Sequence, residues 1–395
     1  MFQRILVPVD NSPYSDLSIE MSIALAQKFG SHLVGCHVYA ARLHDARFRQ
    51  MEAGLPAQYQ EEGELQHQRQ VHDSLITKGL QLISDSYLDA FTTKCEQAAV
   101  PCQRRVMEGT NYVELTKEAE DNKYDLVVMG IRGLGAVEGS LIGSVCERVA
   151  RKTRCDVLAV RTSQPLNQNI VVAMDGSARS MAGLKAAIGL AKAFHTGVEA
   201  VSVFDPDFHI VAFRSLAGVL SEEASKIFRF KEQEKLHEEV IHQGLKKIYQ
   251  GHLDAAVSFA RSEGITIKAT LLEGKAFHQI LKHLRERETS LLVLGRFGTH
   301  RTDNLDIGST AENLLRLSPC NVLITSGEAP LPDALPPLKE AVVIPWTQDA
   351  LAKLENVPPF VRSMARNAIE DYARRHGCTE ITSDVMTEAR EKMGM

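Results

Sequence analysis

Residues 130–145 read "GIRGLGAVEGSLIGSV" and residues 295–310 read "GRFGTHRTDNLDIGST"; few letters agree, yet Gly, Gly and Gly-Ser recur at the same spacings. Adding 165 to a residue number carries the first stretch onto the second, and the same shift holds elsewhere. It takes Asp10 to Asp175, Ser12 to Ser177, Ser15 to Ser180, Val38 to Val203, Gly79 to Gly244, Glu108 and Gly109 to Glu273 and Gly274, and Cys155 to Cys320. A register that never drifts is the mark of an internal duplication, so either half can be read through the other.

Within each half, short β-branched runs alternate with stretches whose apolar residues recur at three and four. "RILVPV", "LVGCHVY", "CQRRVM", "LVVMG" and "VLAVR" have counterparts in "NIVVAM", "VEAVSVF", "TIKATLL", "LLVLG" and "NVLIT". This is the βαβ pattern of a parallel sheet covered on both faces, with right-handed crossovers. The expected fold class is α/β: two doubly wound, Rossmann-like five-stranded domains, residues 1–162 and 167–327, joined by the polar piece "TSQPLNQ". Four prolines in "SGEAPLPDALPPLKE" mark a stiff linker, residues 328–340. A small all-α C-terminal module, residues 341–395, follows it; apolar residues at helical spacing run from Val361 to Tyr372, Gly377 is placed to end a helix and "TSD" to start another.

In both halves the first glycine of the quoted stretch ends the fourth strand and the Gly-Ser pair opens a helix. Ligands of open α/β sheets sit beyond the carboxyl ends of the strands. Glycines there are expected to allow positive φ and close backbone approach, while the helix start offers unpaired N–H groups and a partial positive charge. Ser144 and Ser309 are expected either to cap these helices or to donate a hydroxyl. Together these features make a phosphate cradle. The plain alternative is an empty Gly-rich loop; with glycine at about 7% of residues, G-x2-G-x9-G-[S/T] arises by chance in roughly a few chains per hundred of this length.

That pattern, with Asp-x-Ser just past the first strand ("VDNSPYS", "MDGSARS"), resembles the ATP-binding class of universal stress proteins over residues 1–327. The resemblance implies strand order 3-2-1-4-5 and ATP, with Mg²⁺ accompanying the nucleotide, across the carboxyl edge. Carried over, the first site takes Pro8, Val9, Asp10, Asn11 and Ser12, then Val38, then Met129, Gly130, Arg132, Gly133, Gly143, Ser144 and Val145. The second takes Ala173, Met174, Asp175, Gly176 and Ser177, then Val203, then Gly295, Arg296, Gly298, Gly308, Ser309 and Thr310. The aspartates are implied to hold ribose or adenine, the valines the adenine edge and the loops the phosphates. Asp303 and Asp306 place carboxylates in the second loop, which Mg²⁺ or the guanidinium groups of Arg296 and Arg301 are expected to offset. GxxxxGK[ST] is absent from both loops, so the site is not built for fast hydrolysis.

His44-x3-Phe48-Arg49 and His209-x3-Phe213-Arg214 repeat at the same shift, which makes Arg49 and Arg214 candidates for a lid over the site or for a subunit contact, against a plain packing helix. "HEEVIH", "HQRQVH" and "HQILKH" place histidines five apart, wrong for a metal on one helix face, and read as solvated faces. No metal site of the protein's own is expected. The apolar fifth strands have no later strand to cover them, so the halves are expected to pair as an internal pseudo-dimer, with a dimer of chains as a further expectation.

Composition agrees with an ordinary folded protein. Apolar residues at 44%, charged residues at 24% and a net charge of −5 give no pull toward nucleic acid or anionic membrane. No apolar run reaches the ~18 residues of a span, and only "MFQ" precedes the first strand, so a cytoplasmic protein is expected. Seven scattered cysteines suggest neither a disulfide framework nor zinc, and read as small core residues. In the tail, "VPPFVRSMARNAIEDYARRHGCTEIT" resembles the carboxyl-terminal domain of the B subunit of light-independent protochlorophyllide reductase. With no cysteine cluster for iron–sulfur ligation, it reads as an interaction module, and Arg362, Arg366, Arg374 and Arg375 as a solvated face. The function expected is a nucleotide-dependent regulator in stress response that signals to a protein partner through residues 341–395. A slow ATPase or phosphotransferase, a nucleotide-free scaffold and a tetrapyrrole-associated adaptor stay open.

Overall fold

A computed structural model describes residues 1–206, 242–299, 306–330, 344–357, 362, 365–366, 368–370, 372–373 and 376–393. The first half supplies strands β1 (Arg4–Pro8), β2 (His32–Tyr39), β3 (Cys102–Glu108), β4 (Leu126–Gly130) and β5 (Asp156–Val160). The second supplies β6 (Asn169–Met174), β7 (Val198–Phe204), β8 (Lys268–Glu273), β9 (Thr289–Gly295) and β10 (Asn321–Thr325). They form one ten-stranded sheet in the order β3-β2-β1-β4-β5-β10-β9-β6-β7-β8. Each half is parallel and has the order 3-2-1-4-5 within itself.

Helices α1 (Pro13–Phe29), α2 (Ala41–Met51), α3 (Glu62–Gln97), α4 (Asn111–Asp121) and α5 (Ser144–Lys152) belong to the first half. Those of the second are α6 (Ala178–Phe194), α7 (His242–Ser262), α8 (Ala276–Arg285) and α9 (Ser309–Leu317). Side chains alternate across the strands and feed two cores. Ile5, Val7, Leu33 and Val128 pack with Leu25 of α1 and Phe91 of α3. Leu6, Val34, Val127 and Met129 pack with Leu115 of α4 and Val149 of α5. Each fully enclosed leucine or isoleucine stabilises the fold by about 1.5–3 kcal/mol, which is why the period-two pattern of the strands fixes their register. Ser12 caps α1 by accepting from Ser15 N at 3.1 Å, and Ser177 caps α6 in the same way from Ser180 N. Gly30 and its counterpart His195 end these helices in the left-handed region, φ 67° and 53°.

The halves meet where β5 and β10 pair antiparallel, with Leu158 opposite Leu323, its own counterpart under the 165 shift. A local two-fold therefore relates the contacts on either side. Arg151 binds Glu312 while Arg316 binds Glu147. Asp156 Oδ1 accepts from Ser326 N at 2.9 Å, and its counterpart Asn321 accepts from Arg161 N at 2.8 Å. The exposed fifth strands that prompted the expectation of a chain dimer are thus spent within the chain. The ends of the sheet are β3 and β8, and β3 carries the charged Arg104 and Arg105, which discourage edge pairing.

The tail has a core of its own, built from Ile344, Ala350, Leu354, Ile369, Tyr372, Ile381 and Met386. Its helices include Gln348–Glu355 and Ser383–Met393, and Gly377 adopts φ 68°. Among the described residues it departs from all-α at one place, an isolated parallel bridge between Trp346 and Ile381. Two of its arginines brace the module rather than face solvent alone: Arg362 donates to Glu355 and Val357 carbonyls, and Arg366 pairs with Glu370. Arg374 and Arg375 lie outside the described residues. Among the described residues no helix is long and apolar enough to cross a membrane.

Candidate functional site

In both halves the carboxyl edge of the sheet is organised by an aspartate. Asp10 Oδ1 accepts from Ser12 N at 3.1 Å and Ser12 Oγ at 2.6 Å, while Oδ2 accepts from Leu134 N at 3.1 Å. Asp175 repeats the arrangement, with Ser177 N at 3.0 Å, Ser177 Oγ at 2.6 Å and Thr299 N at 3.0 Å. Each carboxylate therefore ties the turn after the first strand to the glycine loop after the fourth. Asn11 (φ 58°) and Gly176 (φ 79°) supply the left-handed residue of that turn.

Of the two purposes expected of the loop glycines, positive φ is met at Gly139 (φ 82°) but not at the motif glycines. None of Gly130, Gly133, Gly143, Gly295, Gly298 and Gly308 has a left-handed φ. A Cβ on Gly133 would stand 2.2 Å from Asp10 Oδ2, and one on Gly298 would stand 2.4 Å from Asp175 Oδ2. On Gly130 it would strike the backbone of Tyr14 at 2.7 Å, and on Gly295 Cβ of Arg179 at 2.9 Å. These four are small because the aspartate and the first helix of each half press against the loop, while a Cβ on Gly143 or Gly308 would crowd the loop's own backbone at 3.2 and 3.3 Å.

The loop closes through Gly143 N to Ile131 O at 2.8 Å and Gly308 N to Arg296 O at 2.9 Å. Gly143 and Gly308 are the N-caps of α5 and α9 and make no side-chain cap, so Ser144 and Ser309 are first helical residues, and of the two roles expected of them only capping is set aside. The first intrahelical bonds are those of Glu147 N and Glu312 N. The three N–H groups before each are the donors a helix start turns toward an anion.

In the second half these parts enclose a cavity of about 310 Å³. Of the expected residues, Ala173, Met174, Asp175, Val203, Gly295, Arg296, Gly298, Gly308, Ser309 and Thr310 line it; Gly176 and Ser177 stand in the adjoining turn. Its apolar wall adds Val201, Ile280 and Leu294, which the motifs did not mark. Tyr249 of α7 also lines it; burial, then Asp175 and Asp205, push its hydroxyl above the usual tyrosine range.

In the first half, Val9 N donates to Cys36 O at 2.8 Å beside Pro8, and Val38 and Met129 are buried. Val145 is half-buried in the first turn of α5. The Arg132 guanidinium lies over the Tyr14 ring, 4.8 Å from its centre, and donates to Tyr14 Oη and, at 2.9 Å, to Ser140 O. Its Nε is buried without a partner.

Arg296 both lines the cavity and braces the contact between the halves. Its side chain turns into the contact between halves and donates to Ala150 O at 2.6 Å, Arg151 O at 2.9 Å and Ser326 Oγ at 2.8 Å. It thus holds the last-turn carbonyls of α5, and Arg161 holds Leu315 O and Arg316 O of α9 from the other side. The two arginines are not counterparts under the 165 shift, which pairs Arg296 with Ile131 and Arg161 with Ser326. Asp306 pairs with Lys152 of the first half at 3.9 Å, and its charge also acts on Arg296, as expected. Asp303 and Arg301 lie outside the described residues.

Arg49 pairs with Asp45 on its own helix at 3.0 Å, and Arg214 lies outside the described residues. Of the spaced histidines, His283 is not on a solvated face. It is buried against Glu199 at 3.1 Å, and burial draws its pKa down against the pull of that carboxylate. His72 stacks on Phe48. Sequence reading also missed a trio behind each aspartate. His37, Ser84 and Tyr87 occupy three positions in the first half, and Ser202, Tyr249 and His252 the same three in the second, in rotated order. His37 Nδ1 meets Ser84 Oγ at 2.8 Å, and His252 stands against Gly176, where a Cβ would be 2.4 Å from Nε2. Burial lowers the pKa of both histidines, with Asp10 and Asp175 acting against it. Among the described residues no group of three or more His, Cys, Asp or Glu is placed to hold a metal ion.

The sequence profile of the universal stress protein family matches residues 1–161 and again 167–326. That of the proto-chlorophyllide reductase 57 kD subunit matches residues 346–390. A universal stress protein of Methanocaldococcus jannaschii is 30% identical over 161 residues, 41% of this chain and 83% of that protein. One of Bacillus subtilis is 31% identical over 162 residues, 39% of this chain and 96% of that protein. The tail is 47% identical over 62 residues to the B subunit of light-independent protochlorophyllide reductase of Chloroflexus aggregans; the match covers 15% of this chain and only 11% of that protein. Among solved structures, a universal stress protein from Archaeoglobus fulgidus shares the fold with a TM-score of 0.51 at 18% identity, covering 82% of this chain and 96% of the other.

Proposed function

Because the chain belongs to the universal stress protein family, which gives it a place in stress response, we propose that each half binds an adenine nucleotide, ATP with Mg²⁺, and that occupancy is signalled to a protein partner through residues 341–395. The observation that carries this reading is the second-half cavity. An apolar wall of Val201, Val203, Ile280 and Leu294 suits a flat base, Asp175 stands at the turn beside it, and the start of α9 offers backbone donors at the other end. A cavity of this size lies within the range that holds small cofactors. In the first half, the buried and unpartnered Nε of Arg132 is a donor that a phosphate oxygen would satisfy.

Mg²⁺ would travel with the nucleotide and supply charge neutralisation at the phosphates, while the protein's own residues bind and orient. Asp10 and Asp175 have one oxygen each on the loop and the other on the turn, so nucleotide entry and loop order are linked through one carboxylate. The test is to denature the purified chain, identify released small molecules by mass spectrometry, and titrate the emptied protein with Mg·ATP by calorimetry. Adenine nucleotide among the released species, or saturable heat on titration, supports the reading; neither overturns it. Steady phosphate release during the titration, lost on altering Gly143, would make the chain a slow ATPase instead.

A further inference from the structure

We propose that Cys95 and Cys102 form a reversible dithiol–disulfide pair through which this chain responds to hydroperoxides. Cys95 lies in the last turn of α3 and is fully enclosed; Cys102 opens β3 and is half-buried. The chain reverses sharply between them. Val100 N donates to Cys95 O at 2.9 Å, Ala99 takes φ 53°, and Leu33 N fixes Pro101 O at 3.1 Å. Cys95 belongs to the buried core and Cys102 packs against that same cluster, so the reversal brings the two thiols within electrostatic reach of each other.

Packing alone does not call for sulfur here. Under the 165 shift the two positions become Ala260 and Ile267, and both are buried in the second half without a thiol. Access is one-sided. Cys102 lines a cavity of about 410 Å³ together with Arg4, Arg104 and Arg105, whereas Cys95 sits behind it. Cys36, Cys146 and Cys320 are buried too deeply for an oxidant to meet them first.

The chemistry divides the roles. Cys102 Sγ attacks the peroxide, an S–O bond forms, the O–O bond breaks, and the departing alkoxide or hydroxide leaves with the thiol proton as alcohol or water. Cys95 Sγ then attacks the sulfenic sulfur; the S–S bond forms, the S–O bond breaks, and the Cys95 proton leaves with hydroxide as water. Two thiols lose two electrons and the peroxide gains them. Burial and the neighbouring sulfur push the Cys95 thiol up to about 12, so it keeps its proton until that second step and supplies it to the leaving group. An external dithiol returns the pair by exchange.

The experiment is favoured by the sequence, because Lys94 and Arg104 place both cysteines in one tryptic peptide, "CEQAAVPCQR". The folded full-length protein is exposed to hydrogen peroxide, alkylated, digested and weighed. The expected peptide is unalkylated and two hydrogens lighter than the reduced form, and dithiothreitol before alkylation restores two alkyl groups. In Cys95→Ala, Cys102 is expected to be trapped by dimedone as the sulfenic acid. Two alkyl groups on this peptide while other cysteines or methionines are oxidised would overturn the proposal. So would a bridge that forms only after the chain is unfolded. Neither outcome depends on nucleotide, so this proposal can fail while the nucleotide reading stands, and the reverse.

Discussion

Gly133→Ala tests the idea that the loop glycines make room for the aspartate. The new Cβ would lie 2.2 Å from Asp10 Oδ2, about 1 Å short of ordinary contact, so the carboxylate must swing away. That movement breaks its 3.1 Å bond from Leu134 N. A hydrogen bond to a charged group contributes about 1.5–3 kcal/mol, and strain from overpacking adds about 1 kcal/mol. The loop should lose roughly 2–4 kcal/mol of local stability, with little effect on global unfolding because its side chains carry little of the core. Hydrogen exchange without nucleotide is the assay: the Leu134 amide should exchange about thirtyfold faster or more. Gly135→Ala is the internal control, since its Cβ meets nothing within 4 Å and its φ is not left-handed. Its effect should stay within about 0.5 kcal/mol. Equal exchange at Leu134 in wild type and Gly133→Ala would refute the reasoning.

Asp156 is half-buried, and burial raises its pKa from 3.8 to about 6, with Ser326 N and Arg296 acting against the shift. Its folded pKa lies above the unfolded one, so the stability this group contributes is fully present below pH 3.8 and is lost as pH rises through 6. Asp156→Asn, which copies its counterpart Asn321, should therefore gain about 1–3 kcal/mol at pH 7 and flatten the stability profile between pH 4 and 6; an unchanged profile in denaturant titrations speaks against it. Arg296→Met leaves Ala150, Arg151 and Cys155 carbonyls without their charged donor. It should cost about 3 kcal/mol and lower the calorimetric midpoint by roughly 4–5 °C, and a shift under about 1 °C would show the brace to be dispensable. Trp346, the one tryptophan, donates to Glu370 at 3.1 Å inside the tail core. Its fluorescence in urea should report a transition at lower denaturant than far-UV circular dichroism, because a core this small is marginal; coincident curves would show one cooperative unit.

The parallel halves and the place of the loops were legible because each follows from local pattern repeated twice at one offset, whereas the strand order was implied by the family resemblance. What stayed hidden depends on directions that pattern does not carry. Arg296 and Arg132 both follow a fourth strand, but alternation sends one side chain into the antiparallel seam at β5 and β10 and the other over Tyr14. The motif could mark the glycines without revealing why they are glycine, since the Asp10 and Tyr14 contacts come from 116 to 123 residues away. Tyr249 and His283 lie on helices α7 and α8, where periodicity gives a face but not what that face meets. Cys95 and Cys102 read as scattered core residues because a count of cysteines does not register a turn that brings two of them together.

The central claim is that two pockets, each closed by its aspartate and opened by a helix start, take up an adenylate. Native mass spectrometry of the intact chain with Mg·ATP counts them directly. The account predicts species carrying one and two nucleotides, the second lost when Gly298→Ala disrupts the Asp175 clasp. A chain that stays bare at nucleotide concentrations well above millimolar would contradict it.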